Sequence, residues 1–264
     1  MIALVAGTGD LPGILARRLV AAGTPPVICA LAGFAPEVPP GLERLDFRLE
    51  TFGTLLLKLR TRGVTRICLA GLVRRPKPDP GAVDAATAPF MARLAAALPL
   101  GDDGTLRAII ALIEEQGFTV TGAAVLAPDL VAGPGRLTRA APGAELAAAL
   151  PLARATLAAM GRADSGQALV IRAGQVIARE GPEGTDALLA ALPPGRGGFL
   201  YKGPKPGQEL RADMPAIGPE TARGAIRARL AGIAVVAGGT LVIGRDELVA
   251  LLDAAGLWLE GVVP

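Results

Sequence analysis

Histidine is absent from the 264-residue chain. That removes an imidazole general base, a Ser-His-Asp triad and a histidine-ligated zinc site. Cysteine occurs twice, at Cys29 and Cys68, too few for a disulfide framework and wrongly spaced for a CxxC metal knuckle. Aromatic residues make up 3% of the chain, with one tryptophan and one tyrosine. A stacking platform for single-stranded nucleic acid is therefore not expected. Charge of one sign is also scarce: 27 basic against 24 acidic side chains give +3, spread along the sequence, which argues against a nucleic-acid partner. Only four of the basic residues are lysine, namely Lys58, Lys77, Lys202 and Lys205. No apolar run reaches 18 residues without glycine, proline or a charge, so no spanning helix is expected. The opening MIALVAGTGDLPG lacks the basic region of a signal peptide, and a cytoplasmic protein is the expectation.

What the chain does have is apolar material and punctuation. Hydrophobic residues are 51% of it, with 35 glycines and 23 prolines in no G-X-Y period, which fits a packed core with many turns. The first half alternates. The continuous apolar run Ile2–Ala6, the segment Pro26–Leu31, the alternating Leu45–Leu49 and Arg66–Ala70, which ends in glycine, read as strands. Helical spacing marks Leu11–Ala22, Phe52–Arg62, about Val83–Leu98 and Thr105 to about Gln116, with short strands at Phe118–Val120 and Ala124–Leu126. Strand and helix in alternation predict a mostly parallel, Rossmann-like sheet.

Ala127–Gly143 has no periodicity and reads as a connection. The second half then follows a different pattern. Helices are expected over Ala144–Met160, Thr185–Leu192, Pro219–Leu230 and Asp246–Ala255, and strands at Gly198–Lys202 and Leu257–Val262. Two hairpins are expected, one from Ala168–Arg172 with Val176–Arg179 and one from Ile233–Val236 with Leu241–Ile243 across Ala-Gly-Gly-Thr. The expectation is α/β overall: a Rossmann-like domain over 1–130, a linker over 131–145 and a C-terminal α+β domain with a mixed sheet over 146–264.

Four groups of residues carry candidate chemistry. GTGDLPG (Gly7–Gly13) lies at a strand-to-helix corner, where Gly9, Asp10 and Leu11 meet free helix N–H groups. Its spacing is GxGxxxG, and no carboxylate follows the second strand in Cys29–Gly33, which disfavours NAD. GLVRRP (Gly71–Pro76) follows the fourth strand, and its Arg74 and Arg75 are placed to clamp a phosphate at a carboxyl sheet edge or to lie in a solvated loop. GDDGTLR (Gly101–Arg107) offers Asp102 and Asp103 either to a hard cation or to the helix N-terminus. The second half contains ADSGQ with Gln167, EGPEGTD with Thr185 and Asp186, and a long charged loop over Gly203–Gly218. Lys202, Lys205, Gln208, Glu209, Arg211 and Asp213 are in or beside that loop, and long ordered loops of this kind carry function more often than short ones. Without imidazole or a plausible thiolate, carboxylates, cations and a bound metal remain, a set suited to phosphoryl chemistry.

These clusters in this order resemble the UDP-2,3-diacylglucosamine pyrophosphatases of lipid A biosynthesis, of the type that lacks metallophosphoesterase motifs. The resemblance covers essentially the whole chain and is most specific in the second half. It implies hydrolysis of UDP-2,3-diacylglucosamine to 2,3-diacylglucosamine 1-phosphate (lipid X) and UMP, with Mg²⁺-assisted attack of water on the α-phosphate. It further implies two domains closing on the substrate, a homodimer, and a cytoplasmic protein working at the inner-membrane surface of a Gram-negative bacterium. Asp213, in RADMPAIG, matches the essential aspartate, as metal ligand or orienter of water. Asp102 and Asp103 match the family's GDD as further catalytic candidates. Gln167 matches its DxGQ, and Thr185 and Asp186 its EGTD. Gly9, Asp10, Leu11, Gly71, Arg74, Lys202, Lys205, Gln208 and Arg211 complete the expected substrate contacts. Two departures stand out. Glu209 replaces an expected aspartate, and EGPEGTD leaves both Glu180 and Glu183 as candidates to face the site. The acyl chains need an apolar cleft, for which Val83–Leu98 and Ala144–Met160 are the candidate walls. The alternatives are a nucleotide-sugar or NAD-binding oxidoreductase, or a non-enzymatic binder of a phosphorylated ligand.

Overall fold

The computed structural model describes residues 1–73, 79–193 and 195–264. They fold as two compact units, the first comprising Met1–Pro128 with Arg211–Asp213, the second Asp129–Leu210 with Met214–Pro264.

The first unit follows the alternation in the sequence. Strands β1 (Ile2–Ala6), β2 (Val27–Leu31), β3 (Arg44–Phe47), β4 (Arg66–Ala70) and β5 (Thr119–Val120) form one parallel sheet in the order β3-β2-β1-β4-β5. Every residue of β2 is buried, the signature of a strand covered on both faces. Helices α1 (Asp10–Ala21), α2 (Phe52–Thr61), α3 (Ala88–Ala97) and α4 (Gly101–Glu115) lie between these strands, and α5 (Ala123–Leu126) follows β5. Leu55 and Leu59 of α2 and Ile110 and Ile113 of α4 join Ala3, Cys29 and Ile67 in one apolar cluster.

Three expectations for this unit need correction. The helix expected from Val83 starts at Ala88. Asp84 Oδ1 accepts from the Thr87 N–H at 2.7 Å, so the preceding residues satisfy a turn instead of a helix. The helix expected from Thr105 starts at Gly101 and takes Asp102 and Asp103 into its first turn, where carboxylates offset the helix dipole. Ala124–Leu126 is a helical turn, α5. Three apolar residues have no periodicity that separates helix from strand.

The second unit carries a six-stranded mixed sheet of β6 (Gly135–Arg136), β7 (Ala168–Arg172), β8 (Gln175–Arg179), β9 (Phe199–Lys202), β11 (Gly232–Val236) and β13 (Trp258–Val262), in the order β6-β13-β11-β9-β7-β8. A separate parallel pair joins β10 (Ala216–Ile217) to β12 (Leu241–Val242). Alternate residues point to opposite faces. Val170, Leu200, Ile233, Val235 and Leu259 pack on one side. That side is covered by α7 (Gly184–Ala190), α8 (Pro219–Arg227) and α9 (Arg245–Ala255), through Leu188, Ala222, Leu248 and neighbours. Leu169, Ile171, Phe199, Tyr201, Ala234 and Val236 pack on the other side, beneath Leu146, Ala153, Leu157 and Met160 of α6 (Ala144–Arg162).

The hairpin at β7–β8 is present, turned by Ala173 and Gly174 at φ 49° and 72°. The second expected hairpin is not. β11 lies between β9 and β13, parallel to both, and β12 leaves to pair with β10. All five residues of β11 are buried, as in a central parallel strand and unlike a half-exposed hairpin arm. The Ala127–Gly143 connection is also more structured than expected: it contributes β6, which pairs antiparallel with β13.

Candidate functional site

In the first unit, the chain order places β2 and β3 on one side of β1 and β4 and β5 on the other. Sheets of this kind bind ligands beyond the carboxyl ends of the strands at that reversal. The two loops there are stitched together. Gly7 N–H donates to the Ala70 carbonyl at 2.8 Å, Thr8 N–H to Leu72 at 3.0 Å, and Leu72 N–H returns to Thr8 at 2.9 Å. Gly71 sits at φ +88°, and a Cβ there would lie 2.7 Å from the Thr8 carbonyl oxygen, so glycine is required. Gly9 and Asp10 are exposed at the mouth of α1. The Asp10 carboxylate already complements the helix N-terminus. This corner therefore suits hydroxyl or N–H donors of a ligand better than a phosphate. Arg74 and Arg75 lie outside the described residues.

Arg211–Asp213 pack with this unit and not with the remainder of their loop. The Arg211 guanidinium pairs with Glu114 at 2.7 Å. Ala212 packs against the apolar cluster. Gly122, just past β5, lies so close that a Cβ there would be 3.0 Å from the Arg211 Cα. Asp213 follows, half-buried. Asp103 pairs with Arg107 one turn along α4 at 2.7 Å, and Asp102 is exposed. Asp102, Asp103 and Asp213 do not form a cluster of three: among the described residues no such group of metal-ligating side chains occurs.

The second unit brings ADSGQ, EGPEGTD and Lys202 to one point. Glu180 is buried and follows β8 directly. Its Oε2 accepts from the Gln167 N–H at 2.6 Å, and its Oε1 accepts from the Thr185 hydroxyl. The Lys202 ammonium donates to Thr185 Oγ1 at 2.7 Å. Antiparallel pairing of β7 with β9 puts Ala168 opposite Lys202, which brings Gln167 to the same spot. Gly166, at φ +142°, would place a Cβ 2.6 Å from the Glu180 carbonyl oxygen, so the close approach of the two motifs depends on it. Glu183 and Asp186 are exposed, so Glu180 is the glutamate of EGPEGTD that faces this network. Nearby, Lys205 forms an ion pair with Asp164, and its N–H donates to Gln208 Oε1 at 2.8 Å. An open pocket of about 440 Å³ runs along the end of α6, lined by Ala155, Ala159, Met160, Ala163, Ser165 and Arg179.

Two partners in the structure gave no signal in the sequence: Glu114 and Glu50. Glu50 is buried and accepts from Arg48 Nε at 3.1 Å and from the Asp79 N–H at 2.6 Å. The Arg48 guanidinium, followed by the backbone N–H groups, holds its carboxyl down at about 2. Burial pushes both thiols up to about 12, so neither Cys29 nor Cys68 offers a thiolate at neutral pH.

Fold and site define a two-unit α/β protein whose polar chemistry rests on carboxylate, hydroxyl and ammonium groups. Residues 1–130 match the family model described as LpxI N-terminal domain, and residues 133–260 that of the LpxI C-terminal domain. A relative from Caulobacter vibrioides, "UDP-2,3-diacylglucosamine pyrophosphatase LpxI", is 37% identical over 276 aligned positions that span 100% of this chain and 98% of that protein. The chain belongs to the LpxI family. The alignment with a solved structure, the Thermus thermophilus UDP-glucose 4-epimerase complex with NAD, covers 100% of this chain and 86% of that one at 18% identity and a TM-score of 0.32. Among the described residues no helix is long and apolar enough to cross a membrane.

Proposed function

We propose that this chain hydrolyses UDP-2,3-diacylglucosamine to 2,3-diacylglucosamine 1-phosphate and UMP. The observation that carries this is the full-length 37% identity to a pyrophosphatase of that name, which makes the chain a hydrolase. The site chemistry is consistent with it. Cleaving a phosphoric anhydride needs charge neutralisation and a positioned water more than a covalent nucleophile. The carboxylates and ammonium groups present supply those without histidine.

In this reading Asp213 orients the attacking water and accepts its proton as the oxygen bonds to the α-phosphorus. The bond from that phosphorus to the bridging oxygen breaks, and the sugar phosphate leaves. Lys202, steadied by Thr185, neutralises charge on the diphosphate. Arg211 acts through Glu114 by fixing the segment that carries Asp213. Gly9, Asp10, Leu11 and Gly71 line the corner for the nucleoside end. The open pocket along α6 is the proposed place for acyl carbons, with the inner-membrane surface as their source, and a homodimer belongs to the same reading.

Mg²⁺ also belongs to it. Three protein ligands do not converge among the described residues, but this ion is commonly held by one or two carboxylates with substrate phosphates and water completing the shell. Asp213 fits as that carboxylate, and Asp102 or Asp103 would serve only as outer partners. When bound, the ion supplies further neutralisation of the phosphoryl oxygens. Hydrolysis in ¹⁸O-water tests the point of attack: the label is expected in UMP. Label in the lipid phosphate would place the attack on the other phosphorus and contradict the assignment.

A further inference from the structure

We propose that Glu180 is a positioning residue, which holds the Lys202 ammonium through Thr185 where it meets the anionic diphosphate. This rests on the hydrolase reading above and adds a residue that the family match does not assign. A threonine hydroxyl has one proton to give and lone pairs to accept with. Thr185 gives its proton to Glu180 Oε1. Its oxygen is then left to accept from Lys202 Nζ, as it does at 2.7 Å. The other carboxylate oxygen accepts from the Gln167 N–H at 2.6 Å, so both oxygens are used and the bond chain ends on a buried carboxylate.

The carboxylate itself is fixed from three directions. The Glu180 N–H donates to the Ala168 carbonyl at 2.8 Å, which ties it to β7. Thr185 belongs to the first turn of α7, and Gly166 lies directly against the Glu180 backbone. Lysine on its flexible four-carbon stem loses considerable freedom when held in one place. Spending that order on a half-buried ammonium is useful when the head must wait in position for a charged ligand. A carboxylate serving only to satisfy the Gln167 N–H would not need the hydroxyl or the lysine.

Steady-state kinetics with UDP-2,3-diacylglucosamine tests the proposal on wild type, Glu180→Gln, Thr185→Val, Thr185→Ser and the Glu180→Gln/Thr185→Val double variant, each checked by thermal melting. Glu180→Gln and Thr185→Val should each raise KM about tenfold, with kcat within about threefold, as expected when ground-state and transition-state binding fall together. Thr185→Ser, which keeps the hydroxyl, should stay near wild type. The double variant should be no worse than either single one, because both break the same chain. Should Glu180→Gln fail to fold, the contrast between valine and serine at position 185 decides alone. An unchanged KM in a folded variant, a serine as damaging as valine, or an additive double variant overturns the proposal. No UMP from wild type overturns the hydrolase reading and this inference with it, whereas normal wild-type turnover with an unaffected Glu180→Gln KM overturns this inference alone.

Discussion

Asp213 and Glu50 are both half-buried or buried carboxylates beside arginine-anchored segments, yet their proposed roles differ. Asp213 sits at the end of a segment already held by the Arg211–Glu114 pair and by Ala212 in the apolar cluster. Removing its side chain should leave those anchors intact. Asp213→Ala is expected to melt within a few degrees of wild type and to lose about 10²–10⁴-fold in turnover, the usual scale for a lost acid–base group. A folded variant at full rate would dispose of its proposed role. Glu50 is structural: it joins Arg48 to the returning chain at Asp79. Its folded pKa of about 2 lies below the unfolded carboxylate value of about 4.3. Its stabilising contribution is therefore complete above the unfolded value and fades as pH falls toward about 2. Glu50→Gln should cost about 1–3 kcal/mol at pH 7, through a buried group left badly paired. It should also flatten the acid side of the stability profile. Urea unfolding across the acid range checks both, and a parallel profile for wild type and variant would contradict the assignment.

Elements were readable where periodicity was long. The four long strands of the first sheet, the β7–β8 hairpin and α6 all appear close to where their apolar patterns put them. The failures are short or ambiguous runs. Gly-Gly after β11 signals a tight turn in sequence, but burial of every β11 residue on two faces decided its neighbours instead. Side-chain partnerships were less readable than strands. The motifs mark Gln167, Thr185 and Lys202, but their convergence on Glu180 depends on the β7–β9 register and on a glycine with room for no side chain. Neither is encoded in local spacing. Gly166→Ala tests this close approach. A Cβ there meets the Glu180 backbone at a φ that L-residues avoid, so a loss of roughly 1–3 kcal/mol in stability is expected, together with a raised KM. Wild-type stability and kinetics in this variant would show that the two motifs are not clasped as described.

At the scale of the whole molecule, the chain passes between the two units three times. The main connection passes at Pro128–Asp129, and Arg211–Asp213 join the first unit although Leu210 and Met214 belong to the second. The sequence placed the whole charged loop in one domain, because nothing local says that Ala212 packs into a distant cluster. The proposed activity has a histidine-free set of side chains cleave a nucleotide–lipid anhydride. The most direct measurement is mass-spectrometric detection of UMP and lipid phosphate after purified protein meets UDP-2,3-diacylglucosamine, with Mg²⁺ and with EDTA. The two products are expected in equal amounts with Mg²⁺, with a rate lost to EDTA and restored by Mg²⁺. Intact substrate under every condition would contradict it, and equal rates in EDTA would remove the ion from the mechanism.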